Sequence, residues 1–155
     1  MILPITLTIA GAAALLNFWL SWRVGQMRRH HKVLIGDGGA QALTARMRAQ
    51  ANFVEYAPFY LILLGLVEMG AGSATWLWIV SILFILGRIL HAFGMDKGTL
   101  NRLRIGGMIL TMLPLLALAI YAITLAYAQP VGGEMRLVPS GDQALPSSAG
   151  GTKLN

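Results

Sequence analysis

Long stretches without a charged side chain limit the folds that are open to this chain. Three stretches, Met1 to Trp22, Met69 to Gly87 and Ile105 to about Ala128, are apolar and uncharged. A helix that rises ~1.5 Å per residue needs ~20 apolar residues to cross a bilayer core of ~30 Å. Because lipid offers no hydrogen-bond partners to the backbone, each stretch is predicted to form a membrane-spanning helix.

A further span, second in chain order, carries polar residues in its first half. Tyr56 to Val67 is apolar but too short to cross alone, and extending it back to Ala45 brings in charged side chains. We interpret the whole stretch as a membrane helix that is polar for a functional reason. The sequence therefore predicts an all-α, integral membrane four-helix bundle over residues 1–128, with helices at about 2–24, 45–69, 73–95 and 103–128. Residues 129–155 are rich in Gly, Ser and Pro and are predicted to be a disordered tail.

Composition and charge agree with a membrane protein. Charged residues make up 12% of the 155 residues, about half the share of an average soluble domain. The absence of cysteine excludes disulfides, thiolate metal sites and a catalytic thiol. The net charge of +6 is concentrated between spans one and two and between spans three and four. The positive-inside rule therefore places both basic loops in the cytoplasm and both termini on the opposite side, and no nucleic-acid partner is needed to explain the charge.

The polar residues of the second span share one helix face. At ~100° per residue, Asn52, Glu55 and Tyr56 fall within ~80° of Arg48, whereas Gln50 falls on the opposite side. Charged groups inside a membrane cost ~2.5–3.5 kcal/mol each and point to function. A guanidinium can fork onto a carboxylate, and a carboxylate can accept from an ammonium, so this stripe suits a zwitterionic ligand such as a small peptide.

Alternatives remain open for the polar residues of the later spans. Glu55 and Arg88 could form an ion pair that only holds the second and third helices together. His91 could carry a proton, since histidine titrates near neutrality, but a hydrogen-bonded structural role is favoured. Arg102 and Arg104 could anchor the fourth helix at the interface, or one of them could stabilise a bound thiolate.

The run from Arg48 to Pro58 resembles the second-helix signature of the MAPEG family, the membrane-associated proteins in eicosanoid and glutathione metabolism. The similarity is closest to leukotriene-C synthase-like members, in the order Arg, Gln, Asn, Glu, Tyr, Pro. Shorter similarities support it at Arg28-Arg29, Gly87-Arg88 with His91 and Gly94, and Arg104 with Gly107. The neutral N-terminus and the Gly36 to Gly39 turn are more similar to the bacterial branch, which implies the bacterial inner membrane as the location.

The resemblance implies a homotrimer that binds glutathione between neighbouring subunits near the cytoplasmic side. Glu55 would hold the ligand's ammonium, and Arg104 would stabilise its thiolate, with Arg102 as the alternative. The glutathione-binding residues implied by the resemblance are Arg28, Arg29, Arg48, Gln50, Asn52, Glu55, Tyr56, Arg88 and His91. No metal site is predicted.

The implied activity is a glutathione transferase or a glutathione-dependent peroxidase. Its substrate would be a hydrophobic electrophile that enters from the bilayer between helices one and four. Two other classes stay open. The first is a non-catalytic lipid-binding scaffold of the same fold. The second is a small four-helix exporter, which is disfavoured because such exporters carry their membrane glutamate in the first helix, and here that helix has no acid.

Overall fold

The computed structural model describes residues 2–128, and these form four helices. Each helix is long and apolar enough to cross a membrane, and the described residues contain no strand. The all-α membrane fold expected from the sequence is therefore confirmed, while the predicted tail lies outside the described residues. The helices are α1 (Pro4–His31), α2 (Gln41–Ala71), α3 (Thr75–Asp96) and α4 (Arg102–Ala128).

The first two helices extend further than hydropathy predicted. α1 continues about two turns past its expected end at residue 24, through Arg28 and Arg29 to His31. Basic side chains in the last turn are favourable there because the C-terminus of a helix carries partial negative charge. Lys32 then ends the helix in the left-handed conformation, with φ of 55°. His30 and His31 accordingly lie in the last turn of α1 and not in a loop.

The four helices are arranged with α2 and α3 in the middle of the bundle. Across the described range, α1 packs on α2 and α3, α4 packs on the same two helices, and α1 and α4 do not pack on each other. Tyr60 of α2 stacks on Phe84 of α3 with ring centroids 3.9 Å apart. Its hydroxyl donates to Ser81 at 3.1 Å, so this buried polar group is satisfied inside the bundle.

Glycines bring α3 and α4 into close contact. A Cβ atom added at Gly107 would lie 2.7 Å from the carbonyl oxygen of Gly87 and 2.8 Å from the Cα of His91. Small residues of this kind let the backbones of membrane helices approach each other closely. The contact fixes the position of His91, which lies on α3 where the polar residues of α2 and α4 converge.

An ion-pair cluster joins three helices at the end of the bundle that carries the basic loops. Arg23 of α1 is buried and is paired with Asp96, the last residue of α3. Arg46 of α2 approaches the same carboxylate, with Nε 3.5 Å from Oδ1. The charge argument assigned these residues to the basic loops, although the predicted helices 2–24 and 45–69 already included Arg23 and Arg46. Their pairing with Asp96, one residue beyond the predicted end of the third helix, was not predicted.

Candidate functional site

A cavity of about 630 Å³ opens between α2, α3 and α4 at the end of the bundle that carries the basic loops. Its volume falls within the range of ~300–1,000 Å³ typical of small-molecule sites. The loop between α1 and α2 forms part of its rim. The polar side chains that line it are Asp37, Thr44, Arg48, Asn52, Glu55, His91 and Arg104.

Most of the polar stripe predicted on α2 lines the cavity. Arg48, Asn52 and Glu55 all line it, as their common helix face requires. The predicted stripe is thus present as one polar wall. The cavity also has an apolar component, made of Met47, Met95 and Met108 from three different helices. Methionine is flexible and polarisable, so this wall can adapt to ligands of different shape.

Arg88 lies behind this wall and is 2% exposed. Its Nη2 donates to Oδ1 of Asn52 at 3.0 Å, and its guanidinium carbon lies 5.7 Å from the centre of the Phe53 ring and 5.8 Å from that of Tyr56. No ion pair joins Arg88 to Glu55 among the described residues. The Glu55–Arg88 ion pair considered from the sequence is therefore not formed, and Arg88 is hydrogen-bonded to Asn52 instead. The carboxylate of Glu55 is left available at the exposed wall of the cavity.

Three buried side-chain nitrogens around the cavity lack a hydrogen-bond partner within residues 2–128. They are Nε of Arg88, Nδ1 of His91 and Nε of Arg104. Buried polar groups are nearly always paired, so a cluster of unpaired ones beside a cavity indicates a place for a polar ligand.

Asn101 positions Arg104 at the start of α4. Its Oδ1 accepts the backbone N–H of Arg104 at 3.1 Å, and its Nδ2 donates to the carbonyl oxygen of Gly94 at 2.7 Å. Sequence reasoning missed this residue, although an Asn three positions ahead of Arg104 is the pattern of a helix N-cap. Arg102 is exposed and does not line the cavity, whereas Arg104 does.

A family model described as the MAPEG family matches residues 6–124. The chain belongs to the MAPEG family. The resemblance seen in the Arg48 to Pro58 run is thereby confirmed, and the match spans all four helices.

Two curated relatives of this MAPEG chain are described as inner membrane protein YecN, from Escherichia coli strain K12 and strain O6:H1. Each is 35% identical over 109 residues, which cover 70% of this chain and 82% of the relative. Together with the four apolar helices, these relatives support an integral inner membrane protein.

Five of the predicted site residues of this MAPEG chain do not line the cavity: Arg88, which lies behind its wall, and four others. Arg28 holds the rim loop by donating from Nη1 to the carbonyl oxygens of Leu34 at 3.2 Å and Gly36 at 3.0 Å. The guanidinium of Arg29 lies over the Trp22 ring, 5.4 Å from its centre. Gln50 donates to the hydroxyl of Ser21 on α1 at 2.6 Å. The fourth, Tyr56, faces Arg88.

Asp37 is a rim residue of the MAPEG cavity that was not predicted as part of the site. Its carboxylate accepts the backbone N–H of Gly39 at 3.0 Å and the hydroxyl of Thr44 at 2.9 Å. These hydrogen bonds, that of Gly39 first, lower the pKa of Asp37 below its usual range. The Gly36 to Gly39 turn was visible in the sequence, but its position beside the α2 stripe depends on the helix packing.

Proposed function

We propose that this MAPEG protein binds glutathione in the cavity between α2, α3 and α4 and reacts it with hydrophobic electrophiles dissolved in the bilayer. The proposed activity is that of a glutathione transferase or a glutathione-dependent peroxidase. The observation that carries the proposal is the polar set of the cavity, in which two guanidiniums, one carboxamide and one exposed carboxylate face a common space: Arg48, Arg104, Asn52 and Glu55.

This set matches the charges of glutathione at neutral pH. The tripeptide carries two carboxylates and one ammonium, together with amide groups and a thiol. Arg48 offers a bidentate donor to a carboxylate, and Glu55 offers an acceptor to the ammonium. Asn52 accepts from Arg88 through its oxygen, which leaves the two N–H donors of its Nδ2 available for the ligand's acceptors.

Arg104 supplies the chemical step in this proposal. A cation beside a thiol favours the thiolate, which is the nucleophilic form. The thiolate sulfur forms a bond to the electrophilic carbon of the substrate, and the leaving group departs with its electron pair. With a hydroperoxide, the thiolate sulfur forms a bond to the terminal oxygen, the O–O bond breaks, and the leaving alkoxide takes up a proton to become the alcohol. The thiol of a second glutathione then attacks the sulfur of the resulting glutathione sulfenic acid, which gives glutathione disulfide and water. No protein cysteine is required, which agrees with a chain that has none.

Assembly as a homotrimer is part of the same proposal. Arg48 and Glu55 are exposed in the single chain, although they lie on a membrane helix. A second copy packed on this face would shield both charges from lipid. Gln50 and Arg29, which face away from the cavity of their own chain, would be available to the site of a neighbouring copy. We also propose the orientation predicted from charge, with both basic loops in the cytoplasm.

Calorimetric titration of glutathione into the detergent-purified protein tests the site. Removing a charge partner of the ligand should cost ~2 kcal/mol or more, so Glu55→Gln is expected to weaken binding at least ~30-fold. Arg102→Gln, which removes an exposed base outside the cavity, is the matched control and should bind as the wild type does. Arg104→Leu should keep most of the affinity but lose the ultraviolet absorbance of a bound thiolate.

The outcomes separate the competing functions. Binding that Glu55→Gln abolishes, followed by turnover of apolar electrophiles, would support the transferase. Tight binding without turnover of any electrophile or hydroperoxide would support a glutathione-binding site but contradict the proposed enzymatic activity. The absence of binding at millimolar glutathione would refute the proposal and favour a lipid-binding scaffold of the same fold.

A further inference from the structure

We propose that a second cavity, between the ends of α1 and α2, binds the phosphate headgroup of an anionic phospholipid. This cavity has a volume of about 250 Å³ and is lined by Gln26, Met27, His30 and Arg46. It shares no lining residue with the proposed glutathione cavity, so the two sites are separate. A basic pocket between membrane helices is the kind of place where anionic lipid headgroups bind.

The charges around this cavity leave a positive surplus. Arg23 and Arg46 share the single carboxylate of Asp96. Arg46 also donates from Nη1 to the carbonyl oxygen of Arg23 at 3.1 Å. Within the described residues these contacts leave its Nη2 group without a partner, and no acidic side chain lines the cavity. A phosphate would supply the missing negative charge and accept from the free guanidinium nitrogen.

Two further side chains complete a donor set for phosphate. The carboxamide of Gln26 and the imidazole of His30 lie one turn apart on α1 and line the same cavity as Arg46. Both side chains carry N–H donors, so together with the guanidinium they can contact different oxygens of one phosphate.

The depth of the cavity matches the headgroup layer. Trp22 is 52% exposed, and tryptophans on the surface of membrane helices concentrate at the membrane–water interface. Gln26 follows it by one turn, which places it ~6 Å further along the axis. The headgroup region extends ~5–7 Å beyond the hydrocarbon core on each side. Met27 adds an apolar contact suited to the glycerol and the start of the acyl chains, which favours a lipid over free phosphate.

Native mass spectrometry of the full-length protein with short-chain lipids tests the proposal. The probes are dihexanoyl phosphatidylglycerol and dihexanoyl phosphatidylcholine. The wild type should bind the anionic lipid at least about fivefold more tightly, as expected for about one additional favourable charge contact. The double variant Gln26→Ala/His30→Ala lacks two of the three donors to the phosphate, so it should bind phosphatidylglycerol at least about tenfold more weakly than the wild type does. Both residues are exposed, so its melting temperature should stay that of the wild type.

Arg102→Gln is again the matched control, because it removes an exposed base outside this cavity. It should keep the full preference for phosphatidylglycerol. Equal affinity of the wild type for both lipids, or an unchanged affinity of the double variant for phosphatidylglycerol, would overturn the proposal. Displacement of phosphatidylglycerol by inorganic phosphate at equal concentration would also overturn it, because the site would then recognise a free anion and not a lipid.

Discussion

The carboxylate of Glu68, near the end of α2, accepts the backbone N–H of Thr6 in the first turn of α1 at 2.8 Å. It also accepts the backbone N–H of Ile5 at 3.0 Å, the hydroxyl of Thr6 at 2.7 Å and the hydroxyl of Ser73 at 2.7 Å. The first N–H groups of a helix have no partner within the helix, and negative charge is favourable beside them. Glu68 is 1% exposed, so this buried carboxylate depends on the α1 cap and on the Ser73 hydroxyl for its hydrogen bonds.

Removing the Glu68 cap should destabilise the bundle. Hydrogen bonds to a charged group contribute ~1.5–3 kcal/mol, and the change would also leave backbone donors of α1 unpaired, so Glu68→Ala should cost about 3 kcal/mol. Glu68→Gln keeps one acceptor oxygen and should cost less. Thermal unfolding of the detergent-purified protein measures both. Glu55→Gln is the control, since Glu55 is exposed and its loss should leave the melting temperature unchanged.

The ion pair between Arg23 and Asp96 should also contribute to stability. Asp96→Asn would leave the buried guanidinium of Arg23 without its carboxylate, and breaking a fully buried pair costs ~3–5 kcal/mol. Because the Asp96 side chain is 31% exposed, we expect a smaller loss of about 2 kcal/mol. A double-mutant cycle with Arg23→Gln isolates the interaction. Additive effects of the two changes would show that the pair contributes nothing to stability.

The close approach of α3 and α4 can be tested at two adjacent glycines. A Cβ at Gly107 would clash with the backbone of α3, whereas a Cβ at Gly106 meets nothing within 4 Å. Gly107→Ala should therefore destabilise the protein by ~1–3 kcal/mol and displace His91. Gly106→Ala should be neutral or stabilising by up to ~1 kcal/mol, because alanine favours the helix. Equal unfolding temperatures of the two variants would contradict the close packing of α3 and α4 at Gly107.

The rim loop should respond to acid through Asp37. Hydrogen bonds in the folded loop lower the pKa of Asp37. The stabilisation that its carboxylate gives to the folded loop is therefore complete above the usual pKa of ~3.9, and it is lost as the pH falls through the lowered pKa. An NMR titration of the Gly39 amide should show a midpoint below the usual range for an aspartate. In Asp37→Asn this titration should disappear. A midpoint at or above ~4 in the wild type would mean that the loop hydrogen bonds are not formed in solution.

The sequence was sufficient to predict the four helices, their order and the polar face of α2. These features depend on hydropathy and on a 3.6-residue period, which are local properties of the chain. Hydropathy placed Glu68 inside the second predicted helix, but it could not identify a partner 62 residues away. The Arg23–Asp96 pair spans 73 residues, and it forms because α3 ends beside Arg23, about two turns before the end of α1. Charges near the ends of apolar stretches were assigned to loops, since hydropathy marks where a helix leaves lipid and not where it stops.

The cap that Glu68 places on α1 has a consequence for biogenesis. During synthesis α1 emerges from the ribosome well before the residue that satisfies its first amide groups. Until α2 has inserted, the first amide groups of α1 depend on water for their hydrogen bonds. The hydrogen bonds of α1 are therefore completed only when α2 is in place, so the α1–α2 hairpin, and not the single helix, is the unit that becomes stable in the bilayer.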